Sequence, residues 1–264
     1  MAEKLLTVRN VTRQFGGLTA VNDVSMTIYD NELVALIGPN GAGKTTLFNM
    51  LSGLLPATSG TIAIHHDGRF YKVSGKGATS VAQHGISRTF QNIRLFGDMT
   101  VRENIMAALN NQFRENFWST IFHTPGYYRI EREMNDEAQK LIDRYHLTAV
   151  ADNPANKLPY GMQRRVEIVR ALATRPKIIF LDEPAAGMNP EETAELTTMI
   201  KKLRDENNLA VLLIEHDMSL VMNLAERIYV LDQGEVLASG TPKEVSQKHQ
   251  LPSSCLQSDD CPSR

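Results

Sequence analysis

The sequence of 264 residues has two cysteines, Cys255 and Cys261, both within its last ten positions. That excludes a disulfide-built scaffold and a cysteine zinc site in the body of the chain. Long hydrophobic runs are also missing. Leu209 to Ile214 is typical, and far shorter than the roughly 20 apolar residues a bilayer-spanning helix needs. The first residues, MAEKLLTVRN, hold no apolar stretch and no cleavage site, so export is not expected and a cytosolic protein fits. Neither charge sign dominates. A net charge of −2 gives no basic field that points to nucleic acid. No internal repeat or heptad pattern is present. The length suffices for one large α/β domain, or a core with a subdomain.

The chain changes character in thirds. Residues 4 to 37 read mostly as strands: Val24, Met26 and Ile28 alternate with polar residues, and ELVALI (Glu32 to Ile37) reads as a short buried strand. Lys44 to Leu55 reads as a helix. Thr61 to Ile64 and Arg69 to Val73 flank Asp67-Gly68, a hairpin signal. In the middle third, Thr100 and Glu103 form a capping box that predicts a helix through Leu109. A loop with Phe113, Phe117, Trp118 and Phe122 follows, broken at Pro125-Gly126. Tyr128 to Leu147 reads as a charged amphipathic helix. The last third alternates strands (Lys177 to Leu181, Leu209 to Ile214, Ile228 to Leu231) with helices. Asn189-Pro190-Glu191-Glu192 starts one helix, Met218 to Glu226 is another, and Thr241 to Glu244 caps a third. That alternation predicts a parallel sheet. From about Ser246 the composition turns polar and predicts a disordered tail.

Two motifs carry chemistry. Gly38-Pro39-Asn40-Gly41-Ala42-Gly43-Lys44-Thr45 matches G-x-x-x-x-G-K-S/T, between a buried strand and a helix. Glycines there let backbone N–H groups curl around phosphate oxygens, Lys44 charges the β/γ-phosphates, and Thr45 binds Mg²⁺. Thr46 belongs to the same turn. KIIFLDEP then ends a buried strand in Asp182-Glu183, where α/β sheets bind ligands. Asp182 suits a Mg²⁺ held through water, and Glu183 a general base for the attacking water. A third stretch, LPYGMQRRVEI (Leu158 to Ile168), leads through Gly161 into a helix, and a helix N-terminus is an anion site.

The order of these pieces resembles the ABC-type ATPase family: phosphate loop, Gln91 after RTF, the LPYGMQ stretch, Asp182-Glu183, Asn189 and His216 after LLIE. The resemblance covers residues 4 to about 245. FGGLTAVNDVS, RTFQNIRLF, EPAAGMNP and LLIEHDM further resemble the ATP-binding subunits of bacterial branched-chain amino acid importers. The family implies a P-loop core with a mostly parallel sheet, an antiparallel β subdomain and a helical insert. Here that places the core at 1–90 and 166–245, the insert at 91–165 and the tail at 246–264. It implies that Phe15 stacks on adenine, that Gln91 touches Mg²⁺ and the water, and that His216 contacts the γ-phosphate. Asn189 stands where the family usually has aspartate, and it is equally the N-cap of its helix.

The resemblance also implies ATP sandwiched between two chains, with Gly161 meeting the ATP of a second copy or of a different ATPase subunit. Separate transmembrane permease subunits are the expected partners, at the cytoplasmic face of a bacterial inner membrane. Pro159 departs from the family's serine, Tyr160 from its first glycine and Met162 from its glutamine. Slow homodimeric turnover is therefore expected. Urea or amide import, lipid-linked export, an ATPase acting on nucleic acid or ribosomes, and another P-loop enzyme such as a kinase stay open. The aromatics from Phe117 to Phe122 suit either docking or a small core of the insert.

Overall fold

The computed structural model describes residues 3–66, 68–110 and 125–247. Strands β1 (Lys4–Phe15) and β2 (Leu18–Tyr29) form an antiparallel hairpin. Strands β4 (Ser59–His66) and β5 (Arg69–Lys72) extend it to a four-stranded sheet in the order β2-β1-β4-β5. Val24, Met26 and Ile28 are buried, as their alternation predicts, because one face of this sheet meets the core.

The second sheet has the order β10-β9-β3-β8-β7-β6. Its centre is β3 (Leu33–Ile37), buried at every residue. Strands β6 (Ile86–Arg88), β7 (Ile178–Asp182), β8 (Ala210–Ile214) and β9 (Arg227–Asp232) run parallel, and β10 (Glu235–Gly240) returns antiparallel to β9. Continuous apolar runs such as IIFL and AVLLI fit strands covered on both faces.

The helices are α1 (Lys44–Leu51), α2 (Ala78–Gln83), α3 (Val101–Leu109), α4 (Pro125–Arg144), α5 (Tyr160–Ala173), α6 (Pro190–Asn207), α7 (Met218–Leu224) and α8 (Pro242–Gln247). One core fills the space between the two sheets around Phe48 of α1 and Phe180 of β7, whose rings lie 5.1 Å apart. The other joins the opposite face of the parallel sheet to the middle helices through Val101, Ile105, Ala138, Ile142, Val166 and Val169.

Several boundaries differ from the sequence expectation. Helix α1 stops at Leu51, because Gly53 (φ 72°) turns the chain and the Leu54 N–H closes on Asn49 O at 2.9 Å. Helix α4 ends at Arg144, where His146 takes a positive φ of 57°. Helix α5 runs unbroken across residues 165 and 166, and α8 continues through Gln247. Both capping boxes form. Thr100 Oγ1 accepts from Glu103 N, and Asn189 Oδ1 accepts from Glu192 N at 2.9 Å. Phe113, Phe117, Trp118, Phe122 and the tail beyond Gln247 lie outside the described residues. Among the described residues no helix is long and apolar enough to cross a membrane.

Candidate functional site

The site lies at the C-terminal ends of β3, β7 and β8. The phosphate loop leaves β3 at Gly38, where an added Cβ would sit 2.0 Å from Leu231 O of the neighbouring strand. At Gly43 (φ 95°) it would sit 2.3 Å from Ala20 O of β2. Both obstacles are backbone, so neither can step aside. The sheet and the hairpin therefore fix the loop, and only glycine fits at its two ends. Gly43 is also the N-cap of α1 and makes no side-chain cap bond. The first-turn N–H groups are thus presented to an anion. Lys44 Nζ folds back onto Gly38 O and Pro39 O, at 2.6 and 3.0 Å, which holds the ammonium over the loop. Pro39 is half-buried, Asn40, Gly41 and Thr45 are exposed, Ala42 is buried and Thr46 is half-buried. Phe15 ends β1 in the hairpin that flanks the loop. It is 45% exposed, with the Arg13 guanidinium 4.6 Å above its ring.

Three residues far apart in sequence meet beside this loop. Gln91 Nε2 donates to Glu183 Oε2 at 2.9 Å, and His216 Nδ1 lies 4.0 Å from Glu183 Oε1. Glu183 thus stands between the amide and the imidazole. Its φ of +44° is uncommon for a residue with a side chain, and its N–H is tied to Ile214 O at 3.0 Å, so the sheet holds a strained conformation at this position.

Asp182 is buried, and its carboxylate accepts from Arg88 at 2.8 Å. The same guanidinium donates to Asn49 Oδ1 and Ser52 Oγ of α1, each at 2.7 Å. Burial pushes the Arg88 pKa down while Asp182 opposes that shift. Arg88 thereby fixes Asp182 to the phosphate-loop helix. Glu215, also buried, accepts from the N–H groups of Ala185 and His216, at 3.0 and 3.2 Å, and burial pushes its pKa up. It ties the turn after Glu183 to the histidine. Arg88 and Glu215 fall inside the family-like stretches RTFQNIRLF and LLIEHDM, but nothing in those stretches names their partners. Their partners become neighbours only once strands β6, β7 and β8 pair.

Among the described residues no group of three His, Cys, Asp or Glu could hold a metal ion. Thr45, Gln91 and Asp182 offer a hydroxyl, an amide oxygen and one carboxylate. That sparse set of hard oxygens suits a Mg²⁺ that shares its shell with water and phosphate.

The LPYGMQ stretch takes an unexpected form. Helix α5 starts at Tyr160, with Pro159 as an N-cap (φ −54°, ψ 152°) that makes no side-chain bond. Gly161 is already helical and buried, and an added Cβ would meet Glu192 Oε1 of α6 at 2.9 Å. Asn189, the N-cap of α6, has its side chain engaged by Glu192. Gly161 and Asn189 thus lie on the adjoining tips of α5 and α6.

Residues 21–186 match the family model described as ABC transporter. The high-affinity branched-chain amino acid transport ATP-binding protein LivG of Escherichia coli K12 is 46% identical over 245 residues, covering 93% of this chain and 94% of LivG. The lipopolysaccharide export system ATP-binding protein LptB of the same strain is 36% identical over 242 residues, covering 92% of each chain. Among solved structures, the ADP conformation of an ATP-binding cassette of an ABC transporter aligns with a TM-score of 0.81 at 29% identity, covering 96% of this chain and 98% of that one. The likeness spans the folded chain and not the phosphate loop alone: this chain belongs to the ABC transporter family.

Proposed function

We propose that the chain is the ATP-hydrolysing subunit of a membrane transporter, and that the transporter imports branched-chain amino acids. The observation that carries the catalytic part is Glu183, bracketed by Gln91 and His216 at the end of β7. Backbone N–H groups from Gly41 to Thr46 hold the β- and γ-phosphates, and Lys44 adds its charge. Mg²⁺, when bound, would supply positive charge that offsets the charge on the phosphates. Thr45, Asp182 and the Gln91 amide are the residues that would hold it.

Glu183 takes a proton from a water that attacks the γ-phosphorus, as the bond to the bridging oxygen breaks and ADP departs. His216 donates to the γ-phosphate. Phe15 offers its exposed face to adenine. The tip of α5 at Gly161 reaches the γ-phosphate held by a second chain, so hydrolysis removes the bridge and lets the pair open.

The substrate assignment follows the identity gap, 46% to LivG against 36% to LptB. The partners are permease subunits at the cytoplasmic face of a bacterial inner membrane, with the chain bound peripherally. A groove lined by Leu54, Val81, Ile86 and Phe90 opens beside Gln91, and its exposed Leu54 suits an apolar segment of such a permease. The test is reconstitution in vesicles with a permease pair of a bacterial branched-chain amino acid importer. ATP-driven uptake of leucine by vesicles supports the reading. ATP turnover without uptake of any branched-chain amino acid overturns the substrate assignment.

A further inference from the structure

Arg164 is the largest side chain with no solvent exposure among the described residues. It sits one turn into α5, in the run Gln163-Arg164-Arg165 that follows the LPYGM stretch. A buried guanidinium is costly unless its donors are taken. Here the two terminal nitrogens are taken by a specific set, while Nε has no partner among the described residues. One nitrogen donates to Phe90 O and to Glu167 Oε2, each at 2.7 Å. The other donates to Gln91 O at 2.7 Å and to the Tyr160 hydroxyl at 3.3 Å. Glu167, also buried, accepts from the Arg94 N–H with its second oxygen at 3.2 Å. Two side chains of one helix therefore grip the backbone of residues 90 to 94 from within.

The targets of that grip matter. Gln91 is the residue whose amide meets Glu183, and Tyr160 opens the helix whose tip carries Gly161. The planar fork of arginine fixes two successive carbonyls, which a lysine point charge does not.

We propose that Arg164, with Glu167, is a positioning clamp that makes the Gln91 loop and the α5 tip one rigid piece, so that the glutamine is set against Glu183 only while the tip is in register. The inference rests on the role given to Gln91 above. Arg164 touches neither nucleotide nor water, and it acts through the backbone of Gln91. Both halves of the pair are needed, because a single loss leaves the other charge buried and unpaired.

The test uses the full-length chain and steady-state phosphate release at varied ATP and Mg²⁺. The variants are Arg164→Met with Glu167→Leu, Arg164→Lys alone, Gln91→Ala, and Gln91→Ala combined with the paired change. The paired change is expected to lower kcat by about tenfold to a hundredfold, as small misplacements of catalytic groups do. It should raise the Mg²⁺ concentration for half-maximal rate and leave nucleotide binding at the Lys44 loop within about twofold. Arg164→Lys keeps the charge without the fork and is expected to lower kcat by about threefold to tenfold. It carries the test should the paired variant not fold.

In the Gln91→Ala background the paired change is expected to add no further loss. A merely structural clamp would instead add its full loss there, and that result overturns the proposal. So does a kcat unchanged in both Arg164 variants. If Gln91→Ala itself leaves kcat and Mg²⁺ dependence unchanged, the role of Gln91 falls, and the clamp falls with it. If Gln91→Ala is impaired while the Arg164 variants are not, the clamp alone is wrong.

Discussion

Helices α1 and α5 both begin beside a glycine, and both point at phosphate in the proposed mechanism, yet they are built differently. At the start of α1 the glycine is demanded by backbone: an added Cβ at Gly43 meets a carbonyl oxygen at 2.3 Å, at a φ of 95°. At the start of α5 the glycine has ordinary helical geometry, and its near neighbour is the end of a flexible glutamate side chain. The first site is complete within one chain. The second, in the proposed mechanism, is completed by another chain, and it carries Pro159 where a hydroxyl would serve. Under that mechanism the difference teaches that ATP binding is a property of the fold, whereas turnover depends on how well two chains meet.

The largest effect expected concerns Glu183, the base beside the first region. Glu183→Gln should lower phosphate release by at least about 10²-fold, since a positioned base contributes 10²–10⁴. Binding of a fluorescent ATP analogue should stay near the wild-type level. A variant that hydrolyses normally removes Glu183 as the base.

The two glycines give a direct contrast. Gly43→Ala should cost about 2–3 kcal/mol in urea unfolding, from left-handed strain and a blocked approach. Gly161→Ala should cost less than about 1 kcal/mol, because only the Glu192 carboxylate must shift and the better helix propensity of alanine offsets the loosened capping box. Equal costs would break the comparison.

Pro159→Ser sharpens it further. A hydroxyl at this position can cap α5, worth about 1 kcal/mol of stability. It can also donate to phosphate across the interface. One such charge-assisted bond is worth about 1.5–3 kcal/mol, so turnover should rise by roughly tenfold to a hundredfold. A gain in thermal stability with no gain in turnover would assign the position to helix capping alone.

The smallest effect concerns Glu215. Its pKa is raised by burial, so the folded state favours the protonated acid. Stability from this group is full below the unfolded value near 4.5 and is lost as pH rises through the higher folded value. The stability of the wild type relative to Glu215→Gln should therefore fall between pH 4 and pH 8. The fall is about 1.4 kcal/mol for every pH unit that separates the folded from the unfolded value. Urea titrations at the two pH values measure it, and a constant gap contradicts the assignment.

Much of the first region was legible in sequence, because its signals are local. Eight consecutive residues specify the phosphate loop. Thr100 with Glu103 and Asn189 with Glu192 specify their helix starts three residues apart. What stayed hidden depends on long-range pairing. Arg88 and Asp182 are 94 positions apart and meet only because β6 and β7 are neighbours. Arg164 sits in a charged run whose burial follows from the loop that folds over it, not from helical periodicity. The end of α1 was readable in principle from Ser52-Gly53, a stop signal outweighed by the apolar residues beyond it.

The most direct measurement is phosphate release per chain across a wide range of protein concentration, for wild type and Pro159→Ser. Turnover per chain is predicted to rise with concentration in both, and to a higher plateau with serine at position 159. Turnover per chain that is independent of concentration in both proteins, with a single-chain mass in the presence of ATP, would contradict that two chains complete the site.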